Sequence, residues 1–196
     1  MFILTIILAY IIGSIPFGLI FTKLYKLGDI RSIGSGNVGA TNALRTGNKK
    51  VALFTLLGDM LKGTLVVILI SYLTHNCLII LLHGAAVIAG HIYSFFLRFK
   101  GGKGIATFLG VMLGFNYILA TLFILTWLSM AVLFCYSSLA ALMAIWLCTA
   151  VSFFLFMNKL ICLTFIIISL IITFSHRTNI EKLYNGTESK IKLKKK

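Results

Sequence analysis

The chain has 196 residues, of which 60% are hydrophobic and 11% charged, and its mean hydropathy is +1.05. A water-soluble domain could not hide so much apolar surface, so the composition excludes a soluble globular protein and indicates an integral membrane protein. The net charge of +14 is explained by basic residues on the cytoplasmic side of a membrane, so no nucleic-acid partner is expected. We predict an all-α fold with one membrane domain, residues 1–196.

Apolar runs alternate with short polar segments, and a helix needs about 20 apolar residues to cross a bilayer. The run of residues 105–134 would be about 45 Å long as one helix, which is too long for one crossing. Gly114 and Asn116 offer a break that gives a short fourth helix and a fifth of ordinary length. The first run lacks a basic segment and a cleavage site, so we interpret it as a retained span. The predicted spans are residues 2–21, 51–72, 78–97, the two parts of 105–134, 139–157 and 160–175.

The distribution of basic residues predicts the topology. With seven spans, sixteen of the eighteen lysines and arginines lie on one side, and only Lys62 and Lys159 lie elsewhere. Six spans would place the basic C-terminal tail opposite the two basic loops, against the positive-inside rule. We therefore expect the N-terminus outside and the C-terminus in the cytoplasm. The expected cytoplasmic segments are about residues 23–50, 98–104, 135–138 and 176–196, and the lysines of 190–196 should contact anionic lipid headgroups.

The first cytoplasmic segment contains a polar, glycine-rich stretch from Ser32 to Arg45. Apolar residues are mixed with its glycines, whereas a disordered linker would be rich in charges and proline. Loops of this length in compact proteins are usually functional or disordered. We therefore expect this stretch to fold onto a ligand.

A second glycine-rich segment, Gly101–Gly104, lies on the same predicted face. Glycines permit conformations in which successive N–H groups form a phosphate-binding nest, and Arg45 and Lys103 would add positive charge. Tight turns or close helix packing explain the glycines of either loop alone equally well. Two such loops on one face favour a phosphate site, to which the N-terminus of the fourth helix would also point. The GxxxxGK[ST] pattern is absent, so nucleotide binding is not predicted.

A few polar residues interrupt the spans. Asp59 and Lys62 lie three residues apart in the second span, where a lone charge is costly. They should pair with each other or turn toward the polar loops, and we favour a structural ion pair that anchors the first loop. His91 should hydrogen-bond the loop that follows it. His176, at the end of the last span, is either an interfacial residue or a base that also orients a substrate hydroxyl. No cysteine or histidine spacing suits a metal, so neither a metal nor a cofactor is predicted.

Four motifs occur in order along the chain. They are Gly34-Ser-Gly-Asn-Val-Gly-Ala-Thr-Asn-Ala-Leu-Arg45, Gly58-Asp-Met-Leu-Lys-Gly63, Gly90-His91 with Phe99-Lys-Gly-Gly-Lys-Gly-Ile-Ala-Thr107, and His176-Arg-Thr-Asn-Ile-Glu-Lys-Leu with Gly186-Thr-Glu188. Together they resemble the bacterial acyl-phosphate:glycerol-3-phosphate acyltransferases, the PlsY family. The resemblance runs from Gly13 to Glu188, and Ser94 stands where the family commonly has proline.

The resemblance implies a multi-pass enzyme of the bacterial inner (plasma) membrane with its active site on the cytoplasmic face. It would transfer an acyl group from acyl phosphate to the 1-hydroxyl of sn-glycerol 3-phosphate, giving lysophosphatidic acid and phosphate in the first acylation step of phospholipid synthesis. Membrane lipids, and the enzyme that makes acyl phosphate, are candidate partners. The implied catalytic residues are Ser35, Arg45, His176 and Asn179, the implied substrate-binding residues are Gly34, Gly36, Asn37, Thr41, Asn42, Gly101, Gly102, Lys103 and Gly104, and Glu188 is implied to be structural.

The chemistry of acyl phosphate agrees with this interpretation. It is a mixed anhydride with a good leaving group, so the protein need mainly bind two phosphates, position the hydroxyl and stabilise an oxyanion. Ser35 is therefore expected to hydrogen-bond the substrate without forming an acyl-enzyme. Two candidates for the base stay open: the substrate phosphate, with His176 orienting the hydroxyl, or His176 itself. The alternative is a phosphate or organic-anion transporter, which would favour inverted repeats and broken helices facing both sides. The sequence shows no internal repeat.

Overall fold

The computed structural model describes residues 2–191, and the regular secondary structure of that part of the chain is entirely helical. It forms two compact units, which meet in sequence between Phe115 and Asn116. The α-helices of the first unit are α1 (Phe2–Gly13), α2 (Phe17–Leu24), α3 (Ala40–Ala43), α4 (Lys49–Leu73), α5 (Cys77–Ile92) and α6 (Ile105–Phe115). Those of the second unit are α7 (Tyr117–Phe134), α8 (Ser137–Phe156), α9 (Lys159–Ser175) and α10 (Arg177–Tyr184). The predicted all-α class is confirmed.

Within residues 2–191, five helical segments are long and apolar enough to cross a membrane. They are Phe2–Leu24, Lys49–Leu73, Cys77–Leu97, Tyr117–Phe134 and Ser137–Phe156. The pair formed by α9 and α10 makes a sixth candidate, although it bends by 63° between the two helices. Helix α6 is apolar but only 11 residues long. The chain is therefore a helical integral membrane protein with five or six candidate spans.

The first predicted span is two helices and not one. Helix α1 ends at Gly13, and α2 begins directly after Pro16, which has no N–H to continue a helical ladder. Gly13 and Ser14 are buried, as is common for small residues where membrane helices pack together. A Cβ at Gly13 would overlap the Val87 carbonyl, so α1 and α5 approach each other at a distance that requires glycine.

The predicted break between the fourth and fifth helices is present. Helix α6 ends at Phe115, and the Asn116 side chain accepts a hydrogen bond from the Leu119 N–H at 3.1 Å. An asparagine in this position caps the first turn of a helix, so Asn116 both ends one helix and starts α7.

The third candidate span ends at Leu97, as predicted, but it consists of α5, which ends at Ile92, and a short 3₁₀ helix, Phe95–Leu97. Ser94 precedes this turn with φ −60°, the angle that proline would fix. Its hydroxyl donates to the Ser14 carbonyl at 2.6 Å. Serine therefore keeps the backbone geometry that a proline would fix, and it ties the end of α5 to the end of α1.

In the second unit, polar side chains link neighbouring helices. The hydroxyls of Thr149 in α8 and Ser169 in α9 are 2.6 Å apart, and Trp146 Nε1 donates to Thr173 Oγ1 at 3.1 Å. Such hydrogen bonds help helices associate in lipid, where the hydrophobic effect between helices is absent. The predicted lipid contacts of residues 190–196 fall mostly on residues 192–196, which lie outside the described residues.

Candidate active site

The first glycine-rich loop is built around the Asn42 side chain, which is 1% exposed. Its Oδ1 accepts from the Ser35 N–H at 3.0 Å, and its Nδ2 donates to the carbonyls of Ile30, Asn37 and Ile33 at 2.7, 2.8 and 3.2 Å. These bonds use the oxygen and both hydrogens of the amide. The sequence predicts a substrate contact for Asn42. In the structure, the hydrogen bonds of this side chain are made to the backbone of its own loop, which they order.

Gly34 allows the Arg45 side chain to lie across the same loop. The glycine has φ +56°, a left-handed conformation that other residues rarely adopt. A Cβ on it would overlap Asn42 Oδ1 and lie 2.5 Å from both Cδ and Nη1 of Arg45. Ser35 comes directly after Gly34, and its side chain is exposed. The loop therefore places Arg45 against the residue that precedes Ser35, the other predicted catalytic residue of the loop.

The other predicted substrate-binding residues of this loop have different environments. Gly36 has φ +68° and is exposed, as is Thr41 on α3, and Asn37 is half-buried. A Cβ at Gly18 would overlap the Val38 carbonyl, so the loop packs directly onto the backbone of α2. This contact holds the loop against the helical part of the first unit.

An exposed ion pair lies at the start of the loop. The Arg31 guanidinium donates to the Asp29 carboxylate at 2.6 Å, and the Arg31 N–H donates to it at 2.9 Å. These hydrogen bonds, chiefly those of the side chain, hold the pKa of Asp29 below its ordinary value. A lowered carboxyl pKa stabilises the fold at neutral pH, and this contribution is lost as the pH falls through that pKa. Exposed pairs contribute about 1 kcal/mol or less.

The second glycine-rich segment caps the end of α5. The N–H groups of Gly101 and Gly102 donate to the carbonyls of Ile92 and His91, both at 2.9 Å. Because these two amides are already bonded, the predicted nest of successive free amides is wrong for Gly101 and Gly102. Gly104, with φ +84°, then leads into α6.

Close packing accounts for the two glycines at 101 and 102. A Cβ at Gly101 would overlap the His91 carbonyl oxygen, and one at Gly102 would overlap Nε2 of the His91 ring. The alternative that the sequence left open, glycine for close packing against a helix, therefore applies to this segment. Lys103, between them and Gly104, is half-buried.

Beneath this segment lies a buried polar cluster of Asp59, Lys62 and His91. Lys62 Nζ lies 2.9 Å from Asp59 Oδ1, 2.9 Å from His91 Nδ1 and 2.9 Å from the Ile15 carbonyl. The predicted ion pair is confirmed. The prediction that this ion pair anchors the first loop is wrong. Lys62 instead bonds the Ile15 carbonyl, at the break between α1 and α2.

In the second unit, His176 ends α9 and is 2% exposed. Its Nδ1 lies 2.8 Å from the Ile172 carbonyl, which can only accept, so Nδ1 carries a proton. In the neutral ring, Nε2 is then the nitrogen with a lone pair. This is the tautomer that a base or an acceptor for a hydroxyl requires.

Glu188 ties the C-terminal segment to two helices of the same unit. Its Oε1 accepts from Ser138 Oγ at 3.0 Å and from Asn179 Nδ2 at 2.8 Å. The Ile191 N–H also donates to the Cys135 carbonyl at 2.7 Å. These contacts support the structural role predicted for Glu188. Ser138 was not predicted, because nothing near it in sequence identifies a carboxylate 50 residues away as its partner.

Glu188→Ala is expected to lower the stability of the protein by about 1–2 kcal/mol, since two hydrogen bonds to a charged acceptor are lost at a half-buried site. The thermal unfolding midpoint should fall by a few degrees. Glu181→Ala is the matched control, because Glu181 is an exposed carboxylate of α10. Equal midpoints for the two variants would contradict the structural role.

Comparison with known proteins identifies the chain's family. A sequence model described as glycerol-3-phosphate acyltransferase matches residues 3–186. The chain belongs to the glycerol-3-phosphate acyltransferase family. Family members named glycerol-3-phosphate acyltransferase include those of Bartonella quintana, 48% identical over 94% of this chain and 89% of that protein, and of Mesorhizobium japonicum, 47% identical over 96% and 95%.

Solved structures of this family show the same fold. A crystal structure of PlsY, an integral membrane glycerol 3-phosphate acyltransferase, in its glycerol 3-phosphate form has a TM-score of 0.91 and 35% identity, and the match covers 97% of this chain and 95% of that one. The lysophosphatidic acid form has a TM-score of 0.86 and 34% identity, with 96% and 94% covered. The resemblance to the PlsY acyltransferases is confirmed.

Proposed function

We propose that the protein transfers an acyl group from acyl phosphate to the 1-hydroxyl of sn-glycerol 3-phosphate. The observation that carries this proposal is the match, over nearly the whole chain, to a PlsY structure in its glycerol 3-phosphate form. The packing of Arg45 against Gly34, the residue before Ser35, supports it, because a guanidinium and a hydroxyl donor in one loop suit a phosphate or a developing oxyanion.

In the proposed reaction, the hydroxyl oxygen of glycerol 3-phosphate attacks the acyl carbonyl carbon directly. The bond from that carbon to the phosphate oxygen breaks, and inorganic phosphate leaves with the electron pair. Nε2 of His176 accepts the hydrogen bond of the hydroxyl and so orients it, takes its proton as the new bond forms, and passes that proton to the leaving phosphate. No acyl-enzyme forms, because the mixed anhydride already has a good leaving group.

Individual roles follow from the residues' chemistry. Ser35 donates a hydrogen bond to the acyl phosphate, and Arg45 and Lys103 supply positive charge for the phosphate groups. Asn179 holds Glu188 and lies in the first turn after His176, so we assign it to positioning that ring. Asn42 acts through the loop that it orders.

We also propose seven spans, with the N-terminus outside and the chemistry on the cytoplasmic face of the inner membrane. The six candidate spans and the short apolar helix α6 together supply the seven. The positive-inside distribution of lysine and arginine supports this orientation.

The direct test uses detergent-purified protein supplied with acyl phosphate and glycerol 3-phosphate. Inorganic phosphate and lysophosphatidic acid should appear in equal amounts, and neither should form when one substrate is omitted. Uptake of phosphate into sealed proteoliposomes without either product would instead show a transporter.

Ser35→Ala is expected to lower kcat by about 10- to 100-fold without unfolding the protein, because it removes one hydrogen-bond donor from an exposed side chain. Steady-state kinetics, with the unfolding midpoint as a check on the fold, measure this. Ser35→Thr keeps a hydroxyl and should retain more activity. An acyl group trapped on Ser35, seen by mass spectrometry of the wild-type protein, would contradict direct attack.

A further inference from the structure

The hydrogen bonds of Lys62 fix the state of the His91 ring. An ammonium group has three N–H donors and no acceptor, and Lys62 Nζ has three acceptors within 2.9 Å: the Ile15 carbonyl, Asp59 Oδ1 and His91 Nδ1. Paired with Asp59, the lysine is charged and donates to all three. Nδ1 of His91 must therefore accept, which places the proton of the neutral ring on Nε2.

This Nε2–H group faces the glycine-rich segment. The His91 side chain is 6% exposed, and a Cβ on Gly102 would overlap Nε2 and lie 2.9 Å from Cε1. Within residues 2–191, the ring's hydrogen-bond and ion-pair contacts all involve Nδ1. Nε2 is not among the fully enclosed atoms of the ring's surroundings, so a ligand can reach this N–H donor, for which the described residues supply no acceptor.

The acceptor that fits is an anionic oxygen. Lys103 follows Gly102 directly, and the N-terminal turn of α6 follows Gly104, so this segment is electropositive. The amides of Gly101 and Gly102 cannot contribute, because they cap α5. The three N–H donors of Lys62 are all used by acceptors in residues 2–191. Among the described contacts of the Asp59–Lys62–His91 cluster, the Nε2–H of His91 is the donor that stays available.

We propose that His91 is a substrate-binding residue whose Nε2–H donates to a phosphate oxygen held at the Gly101–Gly104 segment. Asp59 and Lys62 are positioning residues that fix the donor tautomer. This inference rests on the proposed function, and both substrates, acyl phosphate and glycerol 3-phosphate, carry the chemical group that it requires.

The tautomer can be measured independently of catalysis. Nitrogen-15 NMR of histidine-labelled protein, with the His91 signals assigned from a His91→Asn sample, should show a protonated Nε2 and an unprotonated Nδ1. Adding inorganic phosphate or glycerol 3-phosphate should shift Nε2 more than Nδ1. A proton on Nδ1, or no response to either anion, would overturn the proposal. A response to phosphate in a protein without acyl transfer would reject only the proposed function.

Two matched variants distinguish the role of the Nδ1 acceptor from the role of the Nε2 donor. His91→Asn keeps an acceptor near the Nδ1 position for Lys62 but removes the Nε2 donor, whereas His91→Gln places an amide near the Nε2 position. The asparagine variant should raise the KM of one substrate about tenfold or more, while glutamine stays within about threefold of wild type. The substrate whose KM rises identifies the bound phosphate. A larger rise of KM in the glutamine variant, or an equal rise in both variants, would show that substrate binding depends on the contact between His91 and Lys62. Either result would overturn the proposal.

Gly102→Ala provides a second test, because its Cβ would overlap Nε2 and should raise the KM of the same substrate. In the double variant Gly102→Ala with His91→Ala, that overlap is removed. A KM that remains raised agrees with a lost phosphate contact. A KM restored to the wild-type value would show that the ring only supports the loop.

Discussion

Replacement of Gly34 by alanine is expected to lower kcat/KM by about 1000-fold, or about 4 kcal/mol of transition-state stabilisation. The new Cβ would overlap Asn42 Oδ1 and crowd Arg45, and the backbone would still need φ +56°. Movement of Asn42 would release the Ser35 N–H, so one substitution would disturb both predicted catalytic residues of the loop. Steady-state kinetics with purified protein measure the effect.

Gly28→Ala is the matched control for this prediction. Gly28 also has a positive φ, +76°, but a Cβ there would meet no atom within 4 Å. The control therefore has a similar backbone strain without the overlap, and it should retain most of the activity. Similar losses in both variants would show that strain in the loop, and not the displacement of Asn42 and Arg45, explains the result.

Asp59→Ala should destabilise the protein by about 3–5 kcal/mol, the range for removing one partner of a buried ion pair. The Lys62 side chain is 2% exposed, so its charge cannot reach water when its partner is lost. The thermal unfolding midpoint in detergent should fall by about 10 °C.

The control for burial is Asp29→Ala, since Asp29 also pairs with a basic residue but is 45% exposed in its side chain. This variant should lower the midpoint by a few degrees at most. If Asp59→Ala were no more destabilising than Asp29→Ala, the buried cluster would not be a stabilising element of the first unit.

Local sequence signals were enough to predict some features of the fold. The division at Asn116 was predictable because asparagine caps helices and the run was too long for one crossing. The break before Pro16 was not, because transmembrane helices tolerate proline when another group satisfies the freed carbonyl. The Ile12 carbonyl, four residues before Pro16, accepts from the Ile15 N–H. Lys62, 47 residues after Ile15, bonds the Ile15 carbonyl at the break, and no local pattern connects the two.

The candidate site was predictable as a set of motifs but not as a set of contacts. Asn42 lies in a polar, glycine-rich loop, where an amide can bind either a ligand or its own backbone, and only the folded loop shows which. The glycines at 101 and 102 likewise suit either an anion nest or close packing. In the structure both glycines pack against His91, Gly101 against its carbonyl and Gly102 against its ring.

His176 occupies a joint between two helices. Its N–H bonds to carbonyls of α9, at Ile172 and Thr173, while its own carbonyl accepts from the N–H groups of Asn179 and Ile180 in α10. The 63° bend between the two helices therefore lies at this residue. Nδ1 of the ring also bonds the Ile172 carbonyl, so the ring that carries the Nε2 lone pair is held by the main chain of α9.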